Sequence, residues 1–278
     1  MSRDHALDDW YPVGDTVLPQ IRATRLLGSD LSVSWDGETA AVTGTDGTAW
    51  PVQVRYDHIW TCLGPSPRPL FDIPEAEQPG RRRVPCGSVR VKCSPLRAVE
   101  NFLDIAHFPY VHTGILGAEP HTEVFPYEVK IREEVDEVWA TKVSFHQPKA
   151  AKSAGTGADI RYEYRVPHPM AAVLYKTCPP RPAEWDVIAI FVQPVSETEC
   201  IAWPWMALYD DTSSQAELVQ FQQEIFLQDR SILENQIPVR LPLDPRMEIP
   251  TRADLTSVAY RRWLKRRGAV YGALSEAE

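Results

Sequence analysis

Between Gly64 and Gly80 the chain carries prolines at positions 65, 67, 69, 74 and 79. Proline lacks a backbone donor and fixes φ, so neither a helix nor a central strand can run through this stretch. The segment before it must satisfy its own hydrogen bonds, and the segment after it must begin a new layer. The stretch predicts a linker or surface crossing, with a small β domain over 1–80 and a larger domain over 81–278.

The two sides carry different patterns. Leu31 to Trp35, Ala40 to Thr43 and Pro51 to Tyr56 are short segments separated by the turn signals Asp36-Gly37 and Asp46-Gly47, which predicts a compact antiparallel unit. Beyond the linker a helical segment from about Pro95 to Phe108 is expected. Strand-like segments then run over Glu123 to Ile131, Val138 to Phe145, Ile160 to Val166, Val187 to Val195 and Ile201 to Tyr209. The period changes at Ser214-x-x-Glu217, a capping-box spacing, after which Leu218, Phe221, Ile225, Ile232 and Gln236 recur at helical intervals. One long helix should cover about 215–236. A last helix from about Arg252 to Arg267 ends in basic residues and Gly268, as the helix dipole and an αL cap require. The expected class is α+β, a curved antiparallel sheet gripping a long helix, preceded by the small β domain.

A chain of 278 residues that is 44% apolar can bury a core of this size. Its net charge of −9, from 29 Lys+Arg against 38 Asp+Glu, opposes phosphate backbones and anionic lipid, so nucleic acid is not an expected partner. No run reaches the roughly 18 apolar residues of a membrane span. The opening MSRDHALDDW lacks the basic and then apolar regions of a secretory signal, and a cytoplasmic chain is expected. The five cysteines are odd in number and never form CxxC, which predicts buried or inert thiols rather than a disulfide framework or zinc knuckle.

Chemistry concentrates in Glu100-Asn-Phe-Leu-Asp104-Ile-Ala-His107-Phe-Pro-Tyr-Val-His112. On an unbroken helix five residues turn through about 500°, leaving the two imidazoles about 140° apart. Pro109 disrupts the helix between them, so His107 and His112 can converge. Asp104 lies three residues before His107, on the side of the helix shared with Asn101. A second signal is a charge out of place: along the stripe Leu218, Phe221, Ile225, the next step of four lands on Asp229. A carboxylate facing the core is costly unless a cation neutralises it. His107, His112 and Asp229 are therefore candidate metal ligands. Two imidazoles, one carboxylate and no thiolate suit a non-haem Fe(II) site with positions open to O2. A zinc hydrolase could use the same three residues, and a satisfied core histidine, a helix-end histidine and a hydrogen-bonded Asp229 would need no metal. His121, His146 and His168 have no partners at ligand spacing and read as structural or exposed.

ENFLDIAHFPYVH resembles the mononuclear iron motif of Rieske-type non-haem oxygenases, and Gln228 to Gln236, QDRSILENQ, is similar to the helix carrying that family's third ligand. The resemblance implies that His107, His112 and Asp229 bind a mononuclear Fe(II), with O2 as co-substrate. It further implies that Asp104 bridges toward an electron donor and that Asn101 orients Asp104 or sits near the iron. DDWYPVG, RLLGSDLSVSWDG and YDHIWTCLG extend the likeness to strands of a Rieske domain. One departure is decisive. A Rieske cluster needs two Cys and two His, yet no cysteine lies between Trp35 and His58, and only His5 and His58 precede the iron motif. The [2Fe-2S] cluster and NAD(P)H-derived electrons must then come from a partner, a Rieske-domain-containing reductase, in a trimer or heterohexamer. Within the family this arrangement resembles the branch acting on methylxanthines. The implied reaction is O2-dependent N-demethylation of a small purine substrate such as 7-methylxanthine, with release of formaldehyde. Its alternatives are O-demethylation or hydroxylation of another aromatic, and a non-catalytic helix-grip binding or scaffold subunit.

Overall fold

In a computed structural model, residues 4–149, 157–178, 181–269 and 271–274 are described. A short helix, α1 (Asp4–Leu7), precedes seven strands: β1 (Tyr11–Asp15), β2 (Gln20–Leu26), β3 (Ser29–Trp35), β4 (Ala40–Gly44), β5 (Ala49–Trp50), β6 (Val52–Arg55) and β7 (His58–Thr61). They form two antiparallel sheets, ordered β1-β7-β6 and β2-β3-β4-β5. The two expected turns close β3 on β4 and β4 on β5. Asp36 Oδ1 accepts from the amides of Glu38 and Thr39 at 2.8 and 2.7 Å, and Gly37 takes φ 108°, a conformation that favours glycine. The proline-rich stretch holds only a single 3-10 turn, Pro74–Glu77.

Beyond it lies one large antiparallel sheet built from β8 (Arg82–Pro85), β9 (Val89–Val91), β10 (Glu128–Arg132), β11 (Glu137–Gln147), β12 (Ala158–His168), β13 (Ala171–Cys178), β14 (Arg181–Ser196) and β15 (Glu199–Leu208). Its order is β10-β11-β12-β13-β14-β15-β8, with β9 also beside β15. The five expected strands are all present. Sequence reading passed over β13 because AAVLYKTC is buried on both faces and shows no alternation. It passed over β8 and β9 because they are very short. Side chains alternate across β14: Ile190 and Val192 join the core beneath the helices, whereas Ala189 and Phe191 face the small β unit. There Phe191 packs on Tyr56 and Trp60 with ring centroids 5.9 and 5.0 Å apart. The large sheet is thus covered on both faces.

The first expected helix is split. It runs only over α2 (Pro95–Leu103) and is followed by a separate turn, α3 (Phe108–Val111). The pyrrolidine ring of Pro109 would clash with the carbonyl four residues earlier, that of Ile105, so the helix has to end before it. Asp104 turns the chain at ψ 134°, and its Oδ1 accepts from the Ala106 amide at 2.9 Å, a local alternative to the helical bond. The long helix, α4 (Gln215–Leu233), begins at the expected capping box: Ser214 Oγ accepts from the Glu217 amide at 3.3 Å, and Glu217 Oε2 accepts from the Ser214 amide at 2.9 Å. The last helix, α5 (Leu255–Arg267), ends at Gly268 with φ 66°. Its basic end is anchored, since Arg266 and Arg267 each reach Asp136 at 2.5 Å. All five cysteines are free and buried. Among the described residues no helix is long and apolar enough to cross a membrane.

Candidate metal centre

The break between α2 and α3 brings the two imidazoles together. His107 caps the start of α3 and His112 its end, where the His112 amide bonds the Phe108 carbonyl at 3.1 Å. Glycine is required beneath this turn, because a Cβ on Gly117 would lie 2.6 Å from the Pro109 nitrogen. The Thr113 hydroxyl donates to the Pro109 carbonyl and fastens the turn from its far end. The result places His107 Nε2 and His112 Nε2 3.1 Å apart.

From the opposite side α4 presents Asp229. Its Oδ1 lies 3.0 Å from His112 Nε2 and 3.3 Å from His107 Nε2. The carboxylate is buried, as the misplaced charge on the stripe predicts. The stripe itself is rotated slightly from the expected one: Leu218, Gln222, Phe226, Asp229 and Leu233 are buried, Phe221 and Ile225 are half-buried against a cavity, and Ile232 is exposed.

The outer ring nitrogens decide what the inner ones can do. His107 Nδ1 lies 2.8 Å from Asp104 Oδ2, and His112 Nδ1 lies 2.8 Å from Gln228 Oε1. A carboxylate and an amide oxygen only accept, so both Nδ1 atoms donate. Both Nε2 lone pairs then point inward, toward each other and toward Asp229 Oδ1, a buried oxygen without a hydrogen-bond partner of its own. Three converging electron pairs repel unless a cation or a proton stands among them, and the outer acceptors are those that hold metal-ligating histidines in register. The donor set therefore fits a divalent cation, and the three ligand atoms lie within 4.8 Å of one another. Without metal a proton takes that place. Burial works against charge on His107, but the Asp104 and Asp229 carboxylates outweigh it and push its pKa up to about 9. Burial also works against charge on Asp229, and the two imidazoles outweigh it, bringing the carboxyl down to about 2.

Beside these residues, between the large sheet and α4, is a cavity lined by Phe102, Phe108, Ile188, Met206 and Phe226 among others. Asn101 lines it too, and with Asp104 it also lines a separate polar recess next to Glu248. Gln228 was missed by sequence reading; its only signal was its place immediately before Asp229. His168 is buried 3.4 Å from Asp9, and His146 bonds Asp159 at 2.8 Å while lying against the His121 ring. Among the described residues no second group of His, Cys, Asp or Glu is close enough to hold an ion.

Residues 91–269 match the family model for the vanillate O-demethylase oxygenase C-terminal domain. Over 270 residues, 96% of each chain, the sequence is 45% identical to a probable methylxanthine N7-demethylase, NdmC, of Pseudomonas sp. (strain TJI-51). The chain belongs to the Rieske-type non-haem iron oxygenases. Solved structures agree in fold: NdmA of Pseudomonas putida CBB5 with caffeine has a TM-score of 0.75 at 18% identity, covering 95% of this chain and 91% of that one. Dicamba monooxygenase bound to 3,6-dichlorosalicylic acid has a TM-score of 0.75 at 15% identity, covering 97% and 99%. This oxygenase is accordingly an oxidoreductase of the demethylase kind, and its family implies non-haem iron and O2.

Proposed function

We propose that this oxygenase is the catalytic subunit of an oxidative N-demethylase acting on a methylated purine such as 7-methylxanthine, with His107, His112 and Asp229 as its iron ligands. The observation that carries the ligand set is the convergence of two Nε2 atoms and an orphaned carboxylate oxygen within 3.3 Å. The purine reading is supported by the 45% identity to a protein named for that activity.

When bound, the iron supplies O2 activation and oxidation of a methyl C–H bond. In balance, the N-methyl substrate, O2, two electrons and two protons yield an N-hydroxymethyl product and water; the product then releases formaldehyde and leaves an N–H. The protein's residues do the rest. Phe102, Phe108, Ile188, Met206 and Phe226 hold a flat ring and exclude water. Asp104 and Gln228 fix the orientation of the two imidazoles. Asp104 also reaches the polar recess on the other side of α2, which suits a link toward an electron donor, with Asn101 beside it. Residues 1–80 are read as a Rieske-type β domain that has lost its cluster loops, so electrons come from a separate Rieske-bearing reductase within a trimer or heterohexamer.

The test is an assay of formaldehyde release after anaerobic Fe(II) loading, with NADH, a Rieske-bearing reductase, and parallel panels of methylated purines and methoxyarenes. Formaldehyde and matching O2 uptake with 7-methylxanthine are expected. Turnover of methoxyarenes with silence across the purines would overturn the substrate assignment.

A further inference from the structure

The cavity wall contains polar groups that iron binding leaves unused. Tyr162 and Tyr164 stand on the same face of β12, and Gln147 ends β11; all three line the cavity and are almost wholly buried. Neither tyrosine hydroxyl has a hydrogen-bond partner among the described residues, nor does Gln147 Oε1. Their rings are held in place. Tyr162 and Tyr164 stack at 6.3 Å, Tyr162 packs on Phe108 at 6.5 Å, and Tyr164 meets the edge of Phe102 at 6.3 Å. Unpaired buried hydroxyls are costly, and apolar side chains would fill the same space without that cost. Three such groups on one wall of a cavity point to a ligand that pairs them.

Charge narrows the class of ligand. Among the described residues the lining includes Lys176 against Asp186, Asp210 and Asp229, and no arginine. Lys176 and Asp186 sit directly opposite each other on β13 and β14. With a divalent cation in place, the positive and negative charges of the lining balance. Nothing is left over to attract a carboxylate-bearing arene.

We infer that Tyr162, Tyr164 and Gln147 are the specificity-determining residues of this cavity, selecting a neutral, flat heterocycle that carries ring carbonyls and a ring N–H. The tyrosine hydroxyls donate to the carbonyl oxygens, and the Gln147 amide oxygen accepts the N–H. This deepens the proposed function and rests on its reading of the cavity as the substrate site.

The experiment is calorimetric titration of the Fe(II)-loaded full chain, under anaerobic conditions, with three probes: 7-methylxanthine, 1-methylbenzimidazole, which lacks the carbonyls, and 4-methoxybenzoate. The wild type should bind 7-methylxanthine at least about tenfold more tightly than either other probe. Tyr162→Phe, Tyr164→Phe and Gln147→Leu should each weaken 7-methylxanthine by about tenfold, the size of one lost hydrogen bond, and change 1-methylbenzimidazole by less than about threefold. Iron content and melting temperature identify any variant that has misfolded, and the remaining variants then decide. Tight xanthine binding that none of the three variants changes would overturn this inference and leave the purine reading standing. Equal losses for both bicyclic probes would also overturn it, by assigning the residues to general packing. Absence of xanthine binding by the wild type would instead sink the purine reading itself.

Discussion

Buried histidines in the two regions of this oxygenase have opposite characters. In the small β unit, His58 is fully buried; its Nδ1 lies 2.6 Å from the Tyr56 carbonyl, and its ring otherwise meets Phe191 and Trp203 at 5.6 and 5.5 Å. Burial pushes its pKa down, and the neighbouring carbonyl and distant carboxylates do not restore it. On the other side of the large sheet His112 is 1% exposed, yet it faces Asp229 and Gln228, and the carboxylates around its partner His107 hold that ring's proton up to pH about 9. Burial therefore does not separate a structural histidine from a candidate metal ligand. The separation lies in whether carboxylates and outer acceptors surround the ring nitrogens. The β unit supplies the aromatic surface that packs under β14, which gives its strands a structural part in covering the large sheet.

If that contrast is right, Asp229→Ala should have the largest effect. Removing this carboxylate leaves the two converging Nε2 atoms without an anionic oxygen between them, Asp104 reaching only the outer nitrogen of His107, and iron content after anaerobic loading should fall to background along with turnover. Full iron content in this variant would dissolve the ligand set. Asp104→Asn comes next. Its amide oxygen can still accept from His107 Nδ1, so iron should be retained, while turnover with the reductase falls about 10–100-fold, the usual range for a residue that holds a metal ligand. Unchanged turnover would remove Asp104 from any part in positioning or electron entry.

A smaller, graded effect arises from the proton that stands in for the metal. The folded pKa of His107 lies above its ordinary value of 6.5. In the metal-free protein its pairing with Asp104 and Asp229 therefore stabilises fully below about 6.5 and fades as pH rises through about 9. A cation has to displace that proton, so affinity runs the opposite way. Anaerobic Co(II) binding should strengthen by about tenfold per pH unit from about 7 to 9 and then level off. A flat profile over that window would show that no such proton is displaced.

Much of this was legible in the sequence because it rests on local rules. The capping box at Ser214, the αL cap at Gly268 and the turns at Gly37 and Gly47 each depend on a few adjacent residues. Asp229 was readable as a buried charge because helical periodicity survives small rotations of α4. The features that were not legible depended on partners far away in the chain. β13 has no alternation because both its faces are covered by segments remote in sequence. Gln228 gained its role only when α4 came to lie against His112, 116 positions away. The exit from α2 could be placed only roughly, since Pro109 forbids the helix without specifying that Asp104 ends it.

The smallest effect expected is that of His58→Phe, and it tests the other half of the contrast. The substitution removes the bond to the Tyr56 carbonyl but also removes Nε2, a buried nitrogen with no partner among the described residues, and it replaces the imidazole with a larger apolar ring in a site bounded by Phe191 and Trp203. These changes oppose each other, so stability near neutral pH should move by no more than about 1–2 kcal/mol, and iron content should not move at all. The pH dependence gives the sharper sign. Because the folded pKa of His58 lies below 6.5, the unfolded chain takes up its proton first on acidification, and the wild type loses stability as pH falls through about 6.5. His107 in the metal-free protein has the reverse sign. Melting temperatures of the iron-loaded protein between about pH 5 and 7 should therefore fall less steeply for His58→Phe than for the wild type. Identical slopes would mean that His58 is not held neutral by its aromatic surroundings, and the difference between the two regions would have to be sought elsewhere.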